Sequence, residues 1–259
     1  MKVQDVLDYI SSLTGHLGGD EVISFGQTDQ EVSGMLVCWM ASLDAIEAAV
    51  HAKANLIVAH EALFFPYSAA PQEAVSGYLS WATNGRRAEL LGRNGMAVIR
   101  AHGTLDQVCV FDEFARLLGL PPPAIDEPGL VKIYDIPETT YGELIENVKA
   151  QTGMRSVRAT PGDPARRVTR IGLPWGGLGL FVNVGYVQKL IDHGCQVLIA
   201  GESDNYGMHF AIDAGLDMIE TSHEVSENPG MRRFSEMLGA QFPDVQVCFY
   251  ENPMPWRWA

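Results

Sequence analysis

Positive charge is scarce in this chain. Its 259 residues carry 18 Lys and Arg against 32 Asp and Glu, a net charge of -14. Such a surface repels a phosphate backbone, and no Lys/Arg cluster is present to neutralise one, so direct nucleic-acid binding is not expected. Cysteine is also sparse. Cys38, Cys109, Cys195 and Cys248 are far apart, none in a CxxC, and each lies in or beside an apolar stretch. That is the usual place of a reduced core thiol, and the expectation is a protein of the reducing cytoplasm. Long apolar runs are missing as well. The longest, Met35 to Leu43, is far short of the about 20 residues that a bilayer span needs. The first residues, Met1 to Leu13, mix Lys, Gln and Asp with apolar side chains. They resemble an amphipathic helix and not the uncharged core of a signal peptide. No membrane association is expected.

What the chain does have is apolar content, 47% of its residues, enough for one large or two intertwined α/β units with a sizeable core. The most informative stretch is Ile57-Val58-Ala59-His60-Glu61, a buried-strand pattern that ends in two metal-capable residues. It follows a helical stretch from Ser42 to Val50. The same order recurs at Val197-Leu198-Ile199-Ala200-Gly201-Glu202, behind a helical stretch from Val187 to Ile191 that closes on Gly194. A second pair of segments repeats too. Met96 to Ile99 leads to His102 and, four on, Asp106; Asp217 to Ile219 leads to His223 and, four on, Glu227. Glu61 and Glu202 are 141 residues apart and His102 and His223 are 121 apart, so each half holds the same series once. An internal duplication follows.

In chain order, Val3 to Leu13 is expected as a helix with Val3, Val6, Leu7 and Ile10 on one face. Ser33 to Trp39 is expected as a strand, and Ser42 to Ala52 as a helix. Phe64-Phe65-Pro66-Tyr67 forms an aromatic exit from the His60-Glu61 strand, able to roof a site. Residues 71 to 95 read as helical, and Val110 to Leu118 as a helix stopped by Gly119. The prolines at 121 to 123 mark a junction, giving two repeats, 1–123 and 124–259, packed as one unit. Thr140-Tyr141-Gly142-Glu143 is a capping box that opens a further helix, and residues 166 to 173 read as a strand. The glycine-rich run from Gly172 to Gly179 fits neither a Walker loop nor GxGxxG; a tight connection is preferred there over an anion-facing loop. The tail, Pro253 to Ala259, carries two Trp and an Arg of the kind that anchor interfaces.

His16, His51, His193 and His209 lack partners at repeating positions and read as structural. His60, Glu61, Asp106, His223 and Glu227 differ, because they are ionisable residues at the ends of apolar strands, where burial without a partner is costly. Metal coordination explains them economically. Imidazole and carboxylate suit divalent ions such as zinc, manganese, iron or nickel, and the absence of Cys argues against a closed structural zinc site. Adjacent residues on a continuing strand point to opposite faces, so His60 and Glu61 serve metal together only if the strand ends there or if they reach different ions. Five ligands with an adjacent pair favour two ions.

The segments Leu56 to Phe65 (LIVAHEALFF), Ala101 to Asp106 (AHGTLD) and Thr221 to Glu227 (TSHEVSE) resemble the three signature blocks of the NIF-three-like dinuclear-metal family, also labelled GTP cyclohydrolase type 2 homologues. They come in the family's order and span most of the chain. The resemblance implies an α/β fold of two intertwined repeats in three α/β/α layers, without the inserted middle domain of longer members. It also implies a homo-hexamer with two divalent ions per chain. Matched by motif, His60 is the first of the family's His-His pair, Asp106 the Asp of its second block, and His223 and Glu227 the ends of its third. Glu61 departs from the pattern, standing where the family has its second His. Its added negative charge shifts preference toward harder ions such as manganese, iron(II) or magnesium; the alternative is that one of the two metal positions is weakened or lost. His102, beside these ligands, is expected to orient Asp106 or to act as a catalytic proton-transfer group.

Two functions are compatible with such a site. The first is a metal-dependent hydrolase acting on a small molecule, since a dinuclear centre supplies hydroxide near neutral pH and polarises a carbonyl, imine or phosphoryl oxygen. The family label implies opening of a purine ring of GTP, although no residue here reads a purine. The second is a non-catalytic metal-binding or regulatory hexamer.

Overall fold

The computed structural model describes residues 1–66 and 76–257. Tyr67 of the aromatic exit, residues 71–75 of the expected helix and Trp258 of the tail lie outside the described residues. The chain forms two compact units, one of Met1–Val110 with Gly230–Asn252, the other of Phe111–Pro229 with Pro253–Ala259. The first crossing thus falls at Val110, ahead of the triple proline, and residues 230–252 return to the first unit. The expected halves, 1–123 and 124–259, were read from consecutive sequence, in which a returning segment leaves no mark.

The first unit is built on a sheet of strand order β1-β4-β3-β2-β11: Ile23–Phe25 (β1), Ala97–Arg100 (β4), Leu56–Ala59 (β3), Gly34–Cys38 (β2) and Gln246–Tyr250 (β11). The four from β4 to β11 run parallel, and β1 is antiparallel to β4. Every residue of β2, β3 and β4 is buried, as expected of parallel strands covered on both faces. That is why their sequences are unbroken apolar runs. The helix Leu43–His51 connects β2 to β3, and Ser42 caps it by accepting from the Ala45 amide at 3.2 Å. Leu36, Ile46, Ile57, Leu91 and Val98 share one core. The helix Ala82–Arg93 then leads to β4, and one helical turn, Gly103–Leu105, opens directly after it.

The second unit holds a sheet of order β5-β6-β8-β9-β10-β7: Ile125–Glu127 (β5), Val131–Thr140 (β6), Arg167–Gly172 (β8), Val197–Ala200 (β9), Asp217–Glu220 (β10) and Arg158–Ala159 (β7). The strands β8, β9 and β10 are parallel, and β7 is antiparallel to β10. The capping box is present: Thr140 Oγ1 accepts from the Glu143 amide, and the Glu143 carboxylate accepts from the Thr140 amide at 2.9 Å, opening the helix Tyr141–Thr152.

The two sheets repeat one register. Ala59 of β3 lies opposite Arg100 of β4, and Ala200 of β9 lies opposite Glu220 of β10. Helical turns begin at Gly103 and at His223, three residues beyond each strand end. Glu61 and Glu202 therefore are true counterparts, but the spacing that matched His102 to His223 is one residue too long. Ser222 stands at the position of His102, and Gly103 at that of His223.

The helix His223–Gln241 contains a proline, Pro229. Proline removes one backbone donor and crowds the preceding turn, yet the helix runs through it. At Gly230 the helix meets the Val110 backbone so closely that any Cβ would collide with it. Among the described residues no helix is long and apolar enough to cross a membrane.

Candidate metal centre

The first candidate set lies in the first unit. β3 ends at Ala59, and His60 follows at 0% exposure. Its Nδ1 is 3.0 Å from the Ala101 carbonyl. A carbonyl only accepts, so Nδ1 carries the proton and Nε2 keeps its lone pair. That Nε2 faces Asp106 Oδ1 at 3.5 Å. Two acceptors placed face to face at a buried position call for positive charge, from a second ring proton or from a cation. His102 joins them: donor atoms of His60, His102 and Asp106 all lie within 4.8 Å of one another. Its ring stands edge-on to that of His60, with centroids 4.8 Å apart.

Glu61 is also buried in this unit. Its amide donates to the Trp39 carbonyl at 2.8 Å, and the His60 amide reaches the same carbonyl at 3.0 Å. Consecutive amides do not share one acceptor on a regular strand. The chain has therefore turned between His60 and Glu61, which removes the strict alternation that would send their side chains to opposite faces.

The second set lies in the second unit. His223 opens its helix and Glu227 follows one turn later on the same face. His223 stands between two carboxylates, with Nδ1 3.0 Å from Glu202 Oε2 and Nε2 3.3 Å from Glu227 Oε1. The hydrogen bond from His223 holds the Glu202 carboxyl below the usual range, outweighing partial burial. A carboxylate on the Nδ1 proton, with the other nitrogen turned to a ligand position, is the usual support of a metal-binding histidine. The donors thus suit a divalent ion in both sets, with neutral imidazole and carboxylate and no thiolate.

The glycine run packs onto this set. Gly176 has φ +52°, and a Cβ there would run into Glu227 Oε1 and come within 3.1 Å of His223 Nε2. Its amide donates to Ser226 Oγ at 3.0 Å, and its carbonyl accepts from the Glu202 amide at 2.7 Å. The run is a tight connection, and glycine is required because its backbone lies against the donors. Gly176→Ala is expected to cost about 1–3 kcal/mol by overpacking and to displace Glu227. Thermal melting of the metal-free protein and elemental analysis of the loaded one check this; a variant with unchanged melting and metal content would count against it.

An ion pair of opposite polarity braces each set. In the first unit Arg100, 2% exposed, pairs with Asp20 at 3.0 Å and donates Nε to the His60 carbonyl at 3.2 Å. In the second, Glu220 pairs with Arg158 at 2.9 Å and accepts from the Ser203 amide, next to Glu202, at 3.2 Å. Burial lifts the Glu220 carboxyl above its ordinary range, against the pull of Arg158. Asp20, Arg100 and Glu202 are site residues that no sequence motif marks as ligands. Glu202 had a visible signal, as the repeat of Glu61; Asp20 lies in an irregular Gly- and Asp-rich loop with none. Of the histidines read as structural, His51 Nδ1 lies 2.8 Å from its own helix's Glu47 carbonyl, and His193 Nε2 lies 3.2 Å from Glu127.

Comparison with known proteins bears on this arrangement. A family model described as Duf34/NIF3 (NGG1p interacting factor 3) matches residues 2–255. A Pseudomonas aeruginosa protein named GTP cyclohydrolase 1 type 2 homolog is 25% identical over 225 residues, covering 83% of this chain and 82% of its own. Among solved structures, a Bacillus cereus protein related to NIF3 superposes with a TM-score of 0.80 at 16% identity, over 100% of this chain and 99% of that one. Reduced HcgD from Methanocaldococcus jannaschii gives a TM-score of 0.74 at 18% identity, over 97% and 98% of the two chains. At these identities the solved structures establish the shared α/β fold.

Proposed function

The chain belongs to the DUF34/NIF3 family, and from that premise we propose that it binds two divalent metal ions and uses them for hydrolysis of a small molecule. The observation that carries this reading is the pair of donor sets, each with a buried or half-buried histidine whose Nδ1 is committed to an acceptor and whose remaining nitrogen is near a carboxylate. His60, Asp106 and His102 would hold one ion, and His223 with Glu227 the other. Ions on such donors supply Lewis acidity and an activated water near neutral pH. The residues do the rest: Ala101 and Glu202 fix the ring tautomers of His60 and His223, and Arg100 and Glu220 brace the turns on which His60 and Glu202 sit.

The shared name of the curated relatives makes GTP the first substrate to try, with ring opening at the purine as the reaction. Protein loaded separately with manganese, zinc and iron(II) should hydrolyse GTP or another member of a broad ester, amide and phosphate panel, and lose that activity in chelator. No turnover under any metal would retire the hydrolase reading. We place this activity in a homo-hexamer, the assembly that the motif resemblance implies, with the exposed Met254 and Trp256 near the tail available for a subunit contact.

A further inference from the structure

Asp20 and Glu21 are neighbours in the loop ahead of β1, and both turn to the same place. Glu21, 3% exposed, accepts from the His102 amide at 2.8 Å, the Thr104 amide at 3.0 Å and Thr104 Oγ1 at 2.7 Å. It fixes the backbone on which His102 sits. Asp20 Oδ2 lies 2.8 Å from His102 Nδ1 and 3.0 Å from Arg100 Nη1. It fixes the ring. Arg100 in turn donates to the His60 carbonyl at 3.2 Å, so a buried guanidinium ties the loop to the neighbouring histidine.

Asp20 and His102 are 24% and 30% exposed, and a surface ion pair of that kind contributes little by itself. Two features set this pair apart. Arg100 is almost fully buried and shares the same carboxylate oxygen, and four donors converge on the adjacent Glu21, counting the Gly18 amide. A loop braced this heavily holds a defined geometry.

An ionised carboxylate only accepts, so Asp20 assigns the His102 proton to Nδ1 and leaves the lone pair on Nε2. His60 is set in the same tautomer by the Ala101 carbonyl. We propose that Asp20 is a positioning residue, and that the tautomer it imposes makes His102 Nε2 a third ligand, with His60 and Asp106, for a divalent cation in the first unit. This rests on the metal-binding reading above. It accounts for the coordinating role of His102 in place of the proton transfer that the sequence also allowed, because a nitrogen committed to a cation is not free to take a proton. Glu202 does the same for His223 at 3.0 Å in the second unit. The support comes there from the loop after β9, not from a loop ahead of an edge strand.

The test is zinc binding by calorimetry, with nitrogen NMR of the His102 ring in the metal-free protein, on wild type, Asp20→Ala, Asp20→Asn and His102→Ala. Asp20→Ala is expected to weaken one zinc site by about 10- to 100-fold and to turn a single Nδ1–H tautomer into a mixture. Asp20→Asn, which keeps an acceptor oxygen, should recover most of the affinity. His102→Ala should weaken the same site at least as much. Zinc binding by wild type that is unchanged in both Asp20→Ala and His102→Ala overturns the proposal, whatever the tautomers do. If Asp20→Ala fails to fold by circular dichroism, Asp20→Ser, whose side chain is too short to reach the ring, and His102→Ala decide between the same two outcomes. A wild type that takes up neither zinc nor manganese overturns the metal-binding reading itself; where it takes manganese alone, the variants are compared with manganese.

Discussion

Native mass spectra of protein purified without chelator should show two divalent ions per chain, and the double variant His223→Ala/Glu227→Ala should lose the ion of the second set. The reason is the chemistry of the donors. His223 Nε2 and Glu227 Oε1 lie 3.3 Å apart on one helical face, where the i, i+4 spacing makes the two side chains neighbours. Removing both leaves Glu202 without its histidine and takes two donors from the ion's position. Loss of ligands should cost more than the about 10- to 100-fold that follows from loss of a supporting residue. The corresponding variant in the first unit, His60→Ala/Asp106→Ala, should lose the other ion. The fold should survive both, because β3 and β10 are held by apolar burial and ladder hydrogen bonds. Circular dichroism separates metal loss from unfolding. A wild type with no bound ion, or variants with undiminished metal, would sink the two-ion reading.

The second large effect is expected at Glu61. Carboxylate favours harder ions than imidazole does, so Glu61→His should move selectivity from manganese and iron(II) toward zinc and nickel. The turn at Trp39, which takes both the His60 and the Glu61 amide, frees Glu61 from the strand alternation that would otherwise turn it away from the face of His60. A change of one side chain after the end of β3 leaves the buried strand intact. Competition between manganese and zinc for the metal-free protein measures the change directly. Identical preference in wild type and Glu61→His means that Glu61 is not a ligand.

Much of the fold was legible because burial writes itself into local sequence. The strands β2, β3 and β9 are runs of apolar residues, and the capping box at Thr140 declares the start of its helix with two side chains. Other elements were silent for equally physical reasons. β11 earns its place by pairing with β2 across more than half the chain, and its burial is only partial, so its pattern is weak. The helix from His223 carries a proline that propensity alone reads as a stop.

For the site, the sequence by itself singled out His60, Glu61, Asp106, His223 and Glu227 as candidates, because a charged or titratable group next to a core needs a reason to be there; His60 and Glu61 follow β3, and the other three lie in the helical segments past β4 and β10. It also determined the repeat, since both copies obey one strand and helix period. The tertiary structure decided what surrounds them. Register, set by ladder hydrogen bonds, shifted the match of His102 by one residue. Side-chain partners distant in sequence, Asp20 on His102 and Glu202 on His223, assigned the ring protons. A tautomer depends on which acceptor folding brings to one nitrogen, and no local pattern of residues encodes that.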